Sequence, residues 1–167
     1  MDAGKVQRYH SAPGIPGNQT VADHTWGVMA LLFWMWPEER KEVYIAAMFH
    51  DSEEGDLGDI PAPTKWGNRA LKEELDNVED KIRHSRGIPT PDLTDIEHAK
   101  IRFCDHFELM FYCYRETKMG NRYAIKPFRL VQPFMEENLE IIGEPCEEAR
   151  LLIDHMSVDV YKLGDET

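Results

Sequence analysis

Six polar residues stand where a helical chain would set them among apolar neighbours: His24, His50, Asp51, Glu54, Asp59 and Asp105. His24 falls one turn before Val28, on a face continued by Leu31 and Met35. His50 and Asp51 close a run that carries Ile45, Met48 and Phe49, and Asp105 shares a helical face with Ile101, Leu109 and Tyr112. Burying such groups is costly unless they are paired or coordinate a metal. A shared cation would satisfy His24, His50, Asp51 and Asp105 together. Two imidazoles and two carboxylates, with no thiolate, suit Mn²⁺, Co²⁺, Zn²⁺, Fe²⁺ or Mg²⁺. An ion with about six positions would keep room for water and a phosphate oxygen. It would polarise that oxygen and acidify the water. Spacing alone leaves other readings open. A satisfied core histidine, a helix cap or an ordinary ion pair accounts for each residue separately. The reversed pair Asp105-His106 and the further histidines at 10, 84, 98 and 155 show that such residues also recur by chance.

The elements that must position these residues are helical. Residues 11–19 form a loop rich in Pro and Gly, and Thr20 with Asp23 three residues later marks a helix start. The first helix is expected over 21–36. Pro37 and the acids Glu38 and Glu39 suit the first turn of a second helix, expected to reach Ser52. Residues 55–65 read as a loop. Leu71, Leu75, Val78 and Ile82 make one apolar stripe on a helix over 67–85. Thr94 or Asp92 opens a long helix to Thr117, another spans 125–142 with Pro133 as an interruption, and a last one covers 146–162. Alternating strand patterns are absent. The expectation is an all-α single domain, residues 1–167, of six or seven helices.

Composition narrows the partners. The 167 residues carry 31 Asp+Glu against 19 Lys+Arg, a net charge of −12. Such a surface excludes general binding to nucleic acid, which needs cations to neutralise phosphates, and disfavours an anionic membrane. The 42% apolar content, with four Trp, six Tyr and seven Phe, is enough for a real core. Cys104, Cys113 and Cys146 form no CxxC pair and an odd set, which argues for a reducing, cytoplasmic setting. The start of the chain lacks a signal-peptide layout. The longest apolar run, Trp26 to Trp36, is shorter than the ~20 residues of a membrane span and reads as a buried core helix.

Four stretches together resemble the HD-domain phosphohydrolases: Thr20-Val21-Ala22-Asp23-His24-Thr25-Trp26, His50-Asp51-Ser52-Glu53-Glu54, Gly58-Asp59-Ile60-Pro61-Ala62-Pro63-Thr64-Lys65, and Arg102-Phe103-Cys104-Asp105. The similarity is greatest to the 5′-deoxynucleotidase branch and to small phage dATP triphosphohydrolases, and covers residues 5–115. It implies one divalent metal held by His24, His50, Asp51 and Asp105. It implies Glu54 as the catalytic group that orients or deprotonates the attacking water, and Asp59 as a second catalytic residue beside the sugar and reacting phosphate, bonding the 3′-hydroxyl or helping in proton transfer. Arg8-Tyr9 matches an Arg-aromatic pair whose aromatic blocks a 2′-hydroxyl, with Tyr where Trp is common. Lys65 and Arg102 match basic positions for phosphate oxygens. Ile15 and Pro63 are candidate walls of an apolar base pocket.

The implied reaction is hydrolysis of a 2′-deoxynucleotide at its 5′ phosphate. The expected substrate is dATP, yielding deoxynucleoside and triphosphate, with a 5′-deoxynucleotidase acting on dNMPs as the alternative. A non-catalytic helical metal-binding protein is a further reading, opposed by Glu54. A cyclic-nucleotide or alarmone hydrolase would bring motifs that are not found here. The eleven mostly apolar residues from Trp26 to Trp36 and the cluster Phe107, Phe111, Tyr112 and Tyr114 exceed one small core, so a homo-oligomer, dimer or hexamer, is expected, and the stripe Met29, Phe33, Trp34 and Met35 reads as core or subunit interface.

Overall fold

A capping box at Thr20 starts the helix that carries His24. Thr20 Oγ1 accepts from the Asp23 N–H (3.2 Å), and Asp23 Oδ2 accepts from the Thr20 N–H (3.0 Å). That helix is α1 (Val21–Met35) in the computed structural model, which describes residues 2–10, 12, 14–15, 18–61, 64–65, 67–143 and 147–165. It is followed by α2 (Lys41–Met48), α3 (Glu54–Leu57), α4 (Arg69–Arg86), α5 (Asp95–Lys118), α6 (Ile125–Ile142) and α7 (Glu147–Asp165). Short 3₁₀ turns lie at Ala3–Lys5 and Arg122–Ala124. Among the described residues the β pairing is a single bridge between Gln7 and Thr20. The chain is all-α, as its patterning requires.

The caps follow local chemistry. Thr94 and Glu97 form a second capping box at α5, and Asn68 Oδ1 accepts from the Leu71 N–H (3.1 Å) at α4. Gly87, at φ 61°, ends α4 in the left-handed region that favours glycine. Helix α6 continues unbroken through Pro133.

Three boundaries differ from expectation. Helix α2 begins at Lys41 rather than Pro37, because Arg40 stays extended and forks onto Glu97 and the Asp92 carbonyl. It ends at Met48, and the chain turns through His50–Glu53. The 55–65 loop contains the one-turn α3, stopped at Gly58 (φ 72°).

Helix α5 packs mainly on α6 and also on α1. Phe103, Phe107 and Met110 of α5, Phe128 of α6, Val28 and Leu32 of α1 and Met156 of α7 are fully buried. Each such side chain contributes roughly 1.5–3 kcal/mol by leaving water. The Trp26–Trp36 run is not the wholly buried helix expected. Its inner stripe Val28, Leu32 and Met35 is buried and Leu31 is half-buried against the core, while Trp26 is 75% exposed and Phe33 and Trp34 about half. On that outer face Phe33 stacks on Tyr44 of α2 at 4.0 Å, and Trp26 stays largely in water. The apolar stripe of α4 is only partly covered: Leu75, Val78 and Ile82 are half-buried and Leu71 is exposed.

Candidate functional site

Three elements meet at one point. His24, in the middle of the buried stripe of α1, is fully buried. His50 and Asp51 follow the end of α2, and Asp105 projects from α5. His24 Nε2 lies 3.2 Å from His50 Nε2, 3.0 Å from Asp105 Oδ1 and 3.5 Å from Asp51 Oδ2. His50 Nε2 is 3.3 Å from Asp51 Oδ2. One ligand atom each from His24, His50 and Asp51 fits within 4.8 Å.

The tautomers explain what the cluster is suited to hold. His24 Nδ1 faces Glu108 Oε2 at 2.5 Å, and a carboxylate oxygen there requires an N–H. His50 Nδ1 likewise donates to the Ala47 carbonyl (2.7 Å). Both Nε2 atoms are then lone-pair donors, and they face each other beside two carboxylates. Four acceptors with no proton among them call for a cation, and nitrogen with oxygen ligands fits a divalent ion. Without a cation a proton takes that place. Burial and Arg8 oppose a charged His24, but hydrogen bonds to Asp105 and Glu108 raise its pKa to about 9. Burial works against ionised Asp51 and Asp105 too, yet the two imidazoles and Arg8 keep both below the usual carboxylate range.

Glu54 opens α3 one turn beyond the His50-Asp51 pair. Its Oε2 is buried with no hydrogen-bond partner among the described residues. Burial, then repulsion from Asp51 and Asp59, raises its pKa to about 8 against the pull of Arg8 and Lys65. Such a carboxyl is suited to taking a proton near neutrality.

Arg8 Nη1 reaches Asp51 Oδ2 at 3.3 Å, and its Nε is buried without a hydrogen-bond partner. Next to it Tyr9 has φ 60°, a strained value for a residue other than glycine. Asp59 holds that corner by accepting from the Tyr9 N–H (2.9 Å), and the Tyr9 ring stacks on Tyr112 at 4.8 Å.

The other expected substrate contacts are more dispersed. Lys65 bonds Glu79 (3.2 Å) and feels the negative charge of Asp51 and Glu54. Arg102 is exposed, with its Nε donating to Asn138 (3.2 Å) on α6. Ile15 is buried with the core residues, and Pro63 lies outside the described residues.

Two residues were missed from sequence. Glu108 is nearly buried and touches His24; its signal was a carboxylate one turn beyond Asp105, on an apolar helix face. Arg83 of α4 donates to the His50 carbonyl (2.6 Å) and pairs with buried Glu53 at 2.6 Å. Glu53 therefore faces inward, and no signal in the local sequence pointed to a partner thirty residues away.

A family model described as 5′-deoxynucleotidase YfbR-like matches residues 17–159. No curated protein and no solved structure matches the chain.

Proposed function

The chain belongs to the YfbR-like 5′-deoxynucleotidase family, and from that premise we propose how its residues divide the work and which deoxynucleotide they take. The enzyme is a divalent-metal-dependent HD-domain phosphohydrolase acting on the 5′ phosphate of deoxynucleotides. His24, His50, Asp51 and Asp105 would hold the ion, which when bound polarises a phosphate oxygen and acidifies water. Glu54 aligns that water and takes its proton. The observation that carries this role is a carboxyl oxygen, Oε2, buried without a hydrogen-bond partner beside the cluster, on a group whose pKa is raised to about 8. Arg8 and Lys65 offset phosphate charge. Asp59 keeps Arg8 in place through Tyr9, and the Tyr9 ring is the candidate wall against a 2′-hydroxyl.

Water attack on phosphorus forms one P–O bond and breaks the bond to O5′, which leaves as the hydroxyl of the deoxynucleoside. From a monophosphate the second product is phosphate, and from dATP it is triphosphate. Two cations, Arg8 and Lys65, lie in the electrostatic field of Asp51, and that number suits a short phosphate chain. The family description favours the monophosphate as well. The dATP reading rests on Arg102, one turn before Asp105 on α5, as a third cation once its guanidinium turns from Asn138. Assaying dAMP and dATP side by side with Mn²⁺ or Co²⁺, and identifying phosphate or triphosphate, separates the two. Turnover of neither overturns the assignment.

The same reading includes one domain, supported by a core whose residues run from Ile15 to Val160. It includes a homo-oligomer, supported by the exposed Trp26, Phe33 and Trp34. A cytoplasmic setting is supported by the free, buried Cys104 and Cys113.

A further inference from the structure

The two imidazoles of the cluster are held by different partners. His50 Nδ1 donates to a neutral backbone carbonyl, that of Ala47. His24 Nδ1 meets a carboxylate, Glu108 Oε2, at 2.5 Å. The other oxygen of Glu108 accepts from Gln19 Nε2 at 2.6 Å, so both carboxylate oxygens are engaged, and Gln19 is itself buried. Helix α1 makes room for this arrangement at Gly27, three residues after His24. A Cβ there would stand 2.7 Å from Glu108 Cγ, far inside contact distance. Helix α5 therefore supplies Asp105 to the cluster and, one turn on, the group that aims His24 at it.

We propose that Glu108 is a positioning residue of the metal centre: held by Gln19 and admitted by Gly27, it fixes the His24 tautomer and ring plane and strengthens Nε2 as a donor. The inference rests on the metal reading above. Its physical basis is general, since an imidazole whose far N–H is bonded to a carboxylate is a better-oriented and more electron-rich ligand. It also assigns the two histidines unequal roles. His24 is the stiff, strongly donating ligand, and His50 the weaker one at a turn.

Glu108→Gln tests the carboxylate with little change of shape. The new amide oxygen can still accept from His24, and its NH₂ can donate to Gln19 Oε1, which has no partner, once the Gln19 amide flips to turn that oxygen toward it. Full-length protein stripped by a chelator is titrated with Mn²⁺ by calorimetry and with Co²⁺ by visible absorption. Glu108→Gln is expected to unfold in one cooperative transition like wild type, yet to bind Mn²⁺ roughly 10–100-fold more weakly and to shift the Co²⁺ bands. Gly27→Ala, which leaves the carboxylate intact but displaces it, is expected to weaken binding in the same direction. Wild-type affinity in both variants, with wild type itself binding metal, overturns the role of Glu108 alone. Wild type that binds neither ion overturns the metal reading and this inference with it.

Discussion

His24 and His50 face the same point from walls built in different ways. The His24 wall is α1 against α5, where Val28, Leu32, Phe103 and Phe107 are fully buried and Gln19, Glu108 and His24 form a hydrogen-bonded chain inside. The His50 wall is a turn, His50 to Glu54, fastened from outside by α4. Arg83 holds the His50 carbonyl and Glu53, and Arg86 bonds Asp56 at 2.5 Å. No residue of α4 is buried. One wall is made rigid by packing, which salt barely touches. The other is positioned in part by ion pairs: Arg86–Asp56 lies near the surface, where salt screens it, and Arg83–Glu53 is buried, where salt screens it much less. The group suited to proton transfer, Glu54, sits on the second wall.

The largest effect that tests this contrast is chemical. Glu54→Gln is expected to lower kcat by roughly 10²–10⁴-fold while metal binding, by the same calorimetric titration, stays near wild type. Wild-type turnover would remove Glu54 from the reaction and leave the ion-pair wall without a catalytic part.

Next comes the fastening itself. Arg83→Ala leaves Glu53 buried without its partner and frees the His50 carbonyl, at a cost of about 1–3 kcal/mol. Thermal unfolding checks the loss of stability, and kcat beside that of wild type checks the link to the site. Activity is expected to fall in the variant, because the His50 turn loses the bond that holds its carbonyl. Wild-type kcat in a destabilised variant would mean that α4 does not position the His50 turn.

The smallest effect concerns the brace between the walls, where Arg40 ahead of α2 forks onto Glu97 at the start of α5. The Arg40 hydrogen bond and the capping bonds from Thr94 hold the Glu97 pKa down to about 2. A depressed carboxyl contributes stability above its ordinary pKa of 4.5 and loses it as pH falls toward 2. The difference in thermal midpoint between wild type and Glu97→Gln should therefore be full at pH 6 and shrink below pH 4.5. A difference that does not change with pH would assign the brace to shape rather than charge.

Much of this was legible in the chain. Thr20 with Asp23 marked one helix start and Thr94 or Asp92 another, because a cap satisfies orphan N–H groups within three residues, and the structure chose Thr94. His24, His50, Asp51 and Asp105 were legible as costly polar groups on apolar faces, but spacing left other readings open for each, and it was the family resemblance that joined them into one set. Helix α2 was drawn too long because the pull of Glu97 on Arg40 acts across 57 residues. Trp26 was read as buried because hydropathy counts residues without knowing which side of a helix finds a neighbour.

The sequence by itself determined the helical class, the cap positions, the family resemblance and the kinds of groups available for chemistry, because these depend on residue type and spacing over a few turns. Only the tertiary structure decided that Glu108 and Gln19 stand behind His24, that Arg83 holds the His50 turn, that Asp59 clips Tyr9, and that Arg102 leans on Asn138. Each of those joins residues 30 to 90 positions apart in the chain. Such pairs are chosen by how helices pack, and packing is set by the whole core rather than by any local pattern.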